Sequence, residues 1–195
     1  SVGAAESIVA TALKEYSDTV SIAAINAPEL TVISGLAAHV TQLGARFEEQ
    51  GFLVVPLAVS HAFHSPLMEP ILSAFREVGE SIDWNPPQIP IVSCSSATIN
   101  DPESVTASYW VDHIRQPVRF SEGFKTMHRA GLRAVLELGP QPVLATLGRR
   151  SAPDPAMLRL PSMRRGGDDY KLLLSSLAKL YVNGCSVEWP GLYGN

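Results

Sequence analysis

The first part of the chain alternates helical and strand patterns in an order that few folds accommodate. Apolar residues recur at helical spacing from Ala4 to Tyr16, and this spacing predicts a helix. Two runs rich in β-branched residues follow at 20–26 and 30–35, and they predict two strands. Pro28 lies between the runs and presets the φ angle of a tight turn, so the two strands are expected to form a hairpin.

A second helix and a third strand complete this pattern. Val40, Leu43 and Phe47 mark one face of a helix over 37–50, Gly51 is a typical helix stop, and 52–57 predicts a strand. With one strand before residue 1, the order becomes the ferredoxin-like βαββαβ unit. Residues 1–3 are expected to be the end of that strand. The sequence therefore predicts a ferredoxin-like subdomain over 1–57 whose first strand is largely missing.

Residues 58–150 predict a different α/β layer. Ser65 can cap a helix with Pro66 at its first position, where the missing proline N–H costs nothing. The buried stripe of that helix is expected to be Leu67, Met68, Ile71, Leu72, Phe75, Val78 and Ile82. Further strands are predicted at IPIVSC (89–94) and 133–138, and further helices near 103–114, 118–130, 142–150 and 168–183, before an irregular tail.

Composition excludes several classes of function. The formal net charge of the 195 residues is −4 and the basic residues are scattered, which argues against nucleic acid as a partner. No apolar run approaches the ~20 residues of a membrane span. The two cysteines, Cys94 and Cys185, are far apart and in no metal-binding spacing, so a reduced, cytoplasmic setting is expected. Cys94 is expected to be a buried strand thiol.

The stretch SHAFHSP (60–66) carries the residues best suited to chemistry. His61 and His64 precede a predicted helix, in the kind of loop where α/β proteins place functional groups. From the residues alone, His64 is a catalytic base, a metal ligand or a histidine that fills space. A metal lacks further ligands at motif spacing, although the chain also contains His39, His113 and His128. A base lacks a nucleophile, since no G-x-S-x-G elbow surrounds Ser34, Ser121 or any other serine.

Five segments, in order, resemble one protein family. AVSHAFHSPLMEP (58–70) resembles the histidine motif of the acyltransferase domains of modular polyketide synthases, which are similar to malonyl-CoA:acyl carrier protein transacylases. The other four are SIAAINAPELTVISG (21–35), YWVDHIRQPVRFSEG (109–123), VLELGPQPVL (135–144) and LPSMRRGGDDYKLLLSSLAKLYVNGCSVEW (160–189). The last resembles the linker that follows such domains.

The resemblance implies a ping-pong reaction. A serine in a G-H-S-x-G elbow takes the acyl group from an acyl-CoA, and the phosphopantetheine thiol of an acyl carrier protein then accepts it. His64 is implied to be the general base and acid, oriented by the backbone carbonyl of His113. His61 and Phe63 are implied to contact substrate, because HAFH at 61–64 is typical of domains that take malonyl rather than methylmalonyl groups. No metal or cofactor is implied.

The resemblance also implies a domain layout and a set of partners. Residues 1–57 would be the small subdomain, 58–150 the C-terminal part of an α/β-hydrolase-like large subdomain, and 151–195 the post-domain linker. The serine elbow would lie outside this sequence, so the N-terminal half of the domain is an expected partner, with an acyl carrier protein and an adjacent ketosynthase. The alternative is a non-catalytic docking fragment, in which exposed arginines contact an acidic carrier protein: Arg149, Arg150, Arg164 and Arg165.

Overall fold

The computed structural model describes residues 1–193, and the chain divides between Met127 and His128 into two compact units. The helices of the first unit are α1 (Glu6–Ala12), α2 (Ala37–Glu49), α3 (Glu69–Glu80), α4 (Ala107–Arg115) and α5 (Phe120–Arg129), the last of which crosses the division. Short 3₁₀ turns lie at Lys14–Tyr16, Pro66–Met68 and Pro102–Ser104. None of the helices within residues 1–193 combines the length and apolar character that crossing a membrane requires.

The predicted hairpin is confirmed. Strands β1 (Val20–Ala27) and β2 (Leu30–Gly35) pair antiparallel, and residues 28–29 make the turn between them. Val2 forms one antiparallel bridge with Thr31 of β2 and another with Val54. Val2 therefore lies between β2 and the segment around Val54.

The strand predicted over 52–57 is shorter than expected. Pairing is limited to one bridge at Val54, flanked by the bonds from Gly3 N to Leu53 O and from Val55 N to Ser1 O. Leu53 is 73% exposed. A short continuous apolar run such as FLVVPL predicts a strand, but the length of a strand depends on how many partner residues run alongside it, which the run does not encode.

The core of this region lies between the two helices and the hairpin. Val9 of α1, Val20 of β1, and Leu43 and Phe47 of α2 are almost fully buried, together with Val2. These residues are the apolar positions that the helical and alternating patterns single out, so the pattern predicts the core. The packing brings α1 and α2 against the hairpin and leaves the hairpin edge strand β1 free to pair with another segment.

The strand predicted at IPIVSC is absent. Val92 forms a single bridge with Ile99, and the chain reverses between them. The hydroxyl of Ser93 accepts hydrogen bonds from the backbone N–H groups of Ser95 and Ser96, at 3.1 Å and 3.4 Å. Serine hydroxyls that bond nearby backbone compete with the sheet ladder, and here the turn is the outcome.

Helix α3 begins as predicted but is not buried as predicted. The Ser65 hydroxyl accepts from Leu67 N at the start of the Pro66–Met68 turn, and α3 continues from Glu69. Met68 is buried, but five residues of the predicted stripe are between 40% and 61% exposed: Leu67, Ile71, Phe75, Val78 and Ile82. Helix α3 therefore carries an apolar face that residues 1–193 do not cover.

The second unit begins with a parallel βαβ arrangement. Strands β3 (Ala134–Glu137) and β4 (Leu158–Pro161) pair in parallel and are joined through α6 (Val143–Ser151). No strand was predicted over LRLP, which is short and ends in proline. Helix α7 (Asp169–Val182) is confirmed, and the predicted irregular tail contains a short helix, α8 (Trp189–Tyr193).

Glu137 explains the acidic residue of the VLELGPQPVL segment. Its carboxylate accepts hydrogen bonds from Leu144 N at 3.0 Å and Ala145 N at 2.7 Å, in the first turn of α6. The α6 N-cap, Pro142, provides no side-chain oxygen for these groups. A carboxylate at the end of β3 therefore satisfies two N–H groups that the helix itself cannot.

We expect Glu137→Ala to lower the free energy of unfolding by about 1–2 kcal/mol, the usual cost of losing a helix cap. Glu137→Gln should cost less, because the amide oxygen can still accept one of the two bonds. Urea denaturation followed by circular dichroism measures both effects. Glu188→Ala, at an exposed glutamate of the same unit, is the control. Equal midpoints for Glu137→Ala and Glu188→Ala would show that the cap contributes nothing.

Candidate active site

The backbone at His64 adopts a conformation that histidine rarely takes. Its φ angle is +62°, in the left-handed region, and it directly precedes the Ser65 cap. Ser65 is fully buried, and its hydroxyl donates to Ala62 O at 2.6 Å, which ties the loop ahead of α3 into a closed turn. Left-handed backbone at a non-glycine residue costs on the order of 1 kcal/mol and persists where other contacts hold it.

Two carbonyls at the end of α4 hold His64. The backbone N–H of His64 donates to Ile114 O at 3.0 Å, and its ring Nδ1 lies 2.7 Å from Gln116 O. Because a carbonyl only accepts, Nδ1 must carry the hydrogen in this bond. In the neutral ring, Nε2 is then the basic nitrogen. No residue that the structure describes forms a hydrogen bond with Nε2.

The carbonyl predicted to orient His64 was assigned to the wrong residue. The prediction was His113, and the structure places the carbonyl of Gln116 there instead. Helix α4 ends at Arg115, and Gln116 is extended, with ψ of 151°. A residue that precedes proline is pushed out of the helical region, so Pro117 turns the Gln116 carbonyl away from the helix axis. That signal was present in the sequence as RQPV.

His113 lies close to His64 in a partly buried position. Its ring packs against Tyr109 and Trp110, with centroid distances of 4.5 Å and 5.6 Å. Its Nε2 is buried, and none of the described residues bonds it. Burial lowers the pKa of His113 below its ordinary value, the charge of His64 lowers it further, and Asp112 acts in the opposite direction. His113 is therefore kept neutral beside His64.

His61 and Phe63 lie together on the exposed side of the same loop. Their rings meet edge to face with centroids 5.9 Å apart, and His61 Nδ1 is 3.0 Å from the Ser60 hydroxyl. Phe63 is 49% exposed although it is a large apolar side chain. The loop thus presents an aromatic surface next to His64.

The remaining histidines are engaged elsewhere. His39 Nδ1 is 2.7 Å from the Thr19 hydroxyl, and His128 Nε2 is 2.9 Å from a carboxylate oxygen of Asp154. Within residues 1–193, no group of three histidine, cysteine, aspartate or glutamate side chains could hold a metal ion. Among these residues, His61 and His64 therefore lack the further ligands that a metal site would need.

The serines weighed as nucleophiles do not reach His64. Ser34 lies in β2 opposite Ser21 of β1, and Ser121 is 1% exposed in the first turn of α5. None of the described serine hydroxyls bonds the His64 ring. Among residues 1–193, the site consists of an oriented imidazole whose basic nitrogen is not hydrogen-bonded to a serine, threonine or cysteine side chain. Cys94 is not a substitute, because burial raises the pKa of its thiol.

Comparison with known proteins gives a consistent result. The family profile described as the acyl transferase domain matches residues 2–187. The chain is 37% identical to the phenolphthiocerol synthesis polyketide synthase type I Pks15/1 of Mycobacterium marinum, over 98% of this chain and 9% of that protein. It superposes on the acyltransferase domain from the second module of the salinomycin polyketide synthase with a TM-score of 0.93 and 38% identity.

A second solved structure adds a carrier protein. The chain resembles a malonyl-transacylase solved in complex with its type II polyketide synthase acyl-carrier protein, with a TM-score of 0.77, 27% identity and 91% of this chain covered. The chain spans 56% of that protein and 45% of the salinomycin domain, so it is about half the length of each. With a family profile that covers nearly all of its residues, and an α/β fold that matches polyketide synthase acyltransferase domains, this chain belongs to the acyl transferase family.

Proposed function

We propose that this chain is the C-terminal part of an acyltransferase domain that loads an extender unit, with malonyl preferred, onto an acyl carrier protein. The observation that carries the proposal is the hydrogen bond from His64 Nδ1 to Gln116 O, since it leaves Nε2 as the basic nitrogen. A fixed tautomer is what a histidine needs in order to take a proton from a serine hydroxyl.

His64 would act in both halves of the reaction. Nε2 takes the proton from a serine as the serine oxygen attacks the thioester of malonyl-CoA, and it returns that proton to the departing coenzyme A thiolate. In the second half, Nε2 takes the proton of the phosphopantetheine thiol, which attacks the serine ester, and gives it back to the serine. The carbonyls at the end of α4 carry partial negative charge and favour the imidazolium that forms in each step.

The serine and the remaining half of the same domain are proposed to lie outside these 195 residues. Two observations support this. The chain spans 45% of the salinomycin acyltransferase domain that it matches, and the apolar face of α3 is uncovered. A surface with several large apolar side chains in one stripe is typical of an interface. We propose that the N-terminal half packs on this face, and that an adjacent ketosynthase and a carrier protein complete the assembly.

We further propose that 1–57 is the ferredoxin-like small subdomain, 58–150 the C-terminal part of the large subdomain and 151–195 the linker. The bridges of Val2 to Thr31 and Val54 support the first assignment. The division into two compact units, between Met127 and His128, does not coincide with these boundaries. Arg149, Arg150, Arg164 and Arg165 are exposed and are proposed contacts for an acidic carrier protein.

We expect His64→Ala to reduce acyl-enzyme formation by about 10²–10⁴-fold, the usual contribution of a general base. For the measurement, this chain is fused to the N-terminal half of the salinomycin second-module domain, which gives a hybrid domain. The hybrid domain is incubated with malonyl-CoA, and the serine ester is detected by mass spectrometry. His39→Ala, at a histidine bonded to Thr19, is the matched control. Carrier-protein binding without any ester, in wild type and variant alike, would favour the docking fragment instead.

We expect Phe63→Ser to raise methylmalonyl transfer relative to malonyl transfer by about 10-fold or more, because one methyl group in a pocket is worth about 1–3 kcal/mol. The same hybrid domain, given equal concentrations of the two acyl-CoA substrates, reports the ratio. Phe63→Leu is the control, since it keeps an apolar side chain of similar bulk. A ratio that is identical in all three proteins would remove Phe63 from substrate selection.

The lowered pKa of His113 predicts a pH dependence of stability. As the pH falls below about 6.5, the unfolded chain takes up a proton at this residue before the folded chain does, so stability decreases. We expect His113→Asn to flatten this part of the profile. Asp112→Asn should steepen it, because Asp112 favours the charged ring. Urea midpoints between about pH 5 and 7.5 measure the slopes, and parallel profiles for wild type and His113→Asn would contradict the prediction.

A further inference from the structure

We propose that Arg115 is a positioning residue for His64. Arg115 lies between Ile114 and Gln116, the two residues whose carbonyls hold the histidine. The placement of the His64 ring therefore depends on where the end of α4 lies. The side chain of Arg115 fixes that end to two other elements of the same unit, one on each side.

The first contact of Arg115 is with the start of α3. Arg115 Nε donates to a carboxylate oxygen of Glu69 at 3.2 Å. Glu69 is the first residue of α3, five positions after His64, and only the Pro66–Met68 turn separates the loop from the helix. The ion pair thus joins the segment that carries His64 to the segment that carries its acceptor.

The second contact is with strand β1. A terminal nitrogen of Arg115 donates to the Ser21 hydroxyl at 3.3 Å. Three residues further on, Val118 pairs with the same strand through Val118 N to Ala23 O and Ile25 N to Val118 O, each at 2.8 Å. The backbone bonds fix the position of the segment after α4, and the Arg115 fork fixes the rotation of the last helical turn. A guanidinium suits this task because its donors lie in one rigid plane.

The energetics distinguish positioning from stabilisation. The Arg115 side chain is 28% exposed and that of Glu69 is 60% exposed, and ion pairs with this exposure contribute little to folding. Loss of Arg115 should therefore leave the unfolding midpoint nearly unchanged. It should loosen the Nδ1 bond to Gln116 O, because nothing else in the last turn of α4 ties a side chain to both α3 and β1 within the described residues.

The test reads the tautomer of His64 in the 195-residue chain by nitrogen-15 NMR at about pH 8.5, well above the ordinary histidine pKa. In wild type, the Nδ1–H form should dominate. In Arg115→Gln, the ratio of the Nδ1–H form to the Nε2–H form should fall about five-fold, the ratio that corresponds to one net hydrogen bond. Arg115→Lys, which keeps a donor but not the fork, should fall between the two.

Two further variants separate the contacts, and one serves as the matched control. Ser21→Ala removes the bond to β1, and Glu69→Gln removes the ion pair, so each should give part of the Arg115→Gln effect. Arg76→Gln is the control, because Arg76 of α3 also bonds α4, through the Ser108 hydroxyl at 2.8 Å, but at the far end of the helix. Arg76→Gln should leave the tautomer ratio at its wild-type value.

The proposal is overturned if Arg115→Gln folds and keeps the wild-type ratio, or if Arg76→Gln changes the ratio as much. If Arg115→Gln does not fold, Ser21→Ala and Arg115→Lys decide in the same way. The catalytic importance of this positioning rests on the proposed acyl transfer. The NMR measurement of the His64 tautomer does not depend on that proposal. A shifted tautomer with no acyl-enzyme in the hybrid domain would refute the proposed function and leave the positioning role intact.

Discussion

The hydrogen bond between His64 Nδ1 and Gln116 O joins residues that are 52 positions apart, and the arrangement of the first unit serves to make it. Helix α3 leads away from His64, and α4 returns to it. The two helices approach closely at Gly79, where an added Cβ atom would lie 3.0 Å from the Ala107 side chain. Val118, three residues after the end of α4, then forms a parallel bridge with Ala24 of β1. A residue with left-handed backbone, two packed helices and a hairpin edge thus converge on one imidazole.

Much of this could be predicted from local pattern. Helical spacing predicts α2 and α7, the APE turn predicts the hairpin, and Ser65 with Pro66 predicts the start of the helix after His64. The misses share a physical cause, since each depends on contacts between distant segments. The strand over 52–57 is limited by its short partner, and β4 exists because β3 offers an edge. The acceptor for His64 is the carbonyl of Gln116, three residues after the predicted His113, because Pro117 forces Gln116 out of the helix.

The apolar stripe of α3 shows what a hydrophobic pattern does and does not predict. Ile71, Phe75, Val78 and Ile82 have the spacing of a buried helix face, yet they are exposed. The spacing predicts that another protein segment packs against this face, but it does not show whether that segment belongs to the same stretch of chain. In contrast, Val9, Leu43 and Phe47 find their partners within the first 57 residues and form a complete core. The two sets of residues have the same kind of spacing, and they differ only in whether nearby segments pack against them.

The acceptor that orients the His64 ring is a backbone carbonyl, that of Gln116, and not a side chain. Replacement of the Gln116 side chain by almost any other leaves the carbonyl acceptor in place, so substitutions at that position should not change the orientation of the His64 ring. The information that specifies the acceptor is carried by the ring of Pro117, which bends the chain there. An insertion or deletion between the end of α4 and Val118, which bonds to β1, would shift the register of that bend. The orientation of the site is therefore more vulnerable to changes in length than to changes in residue type.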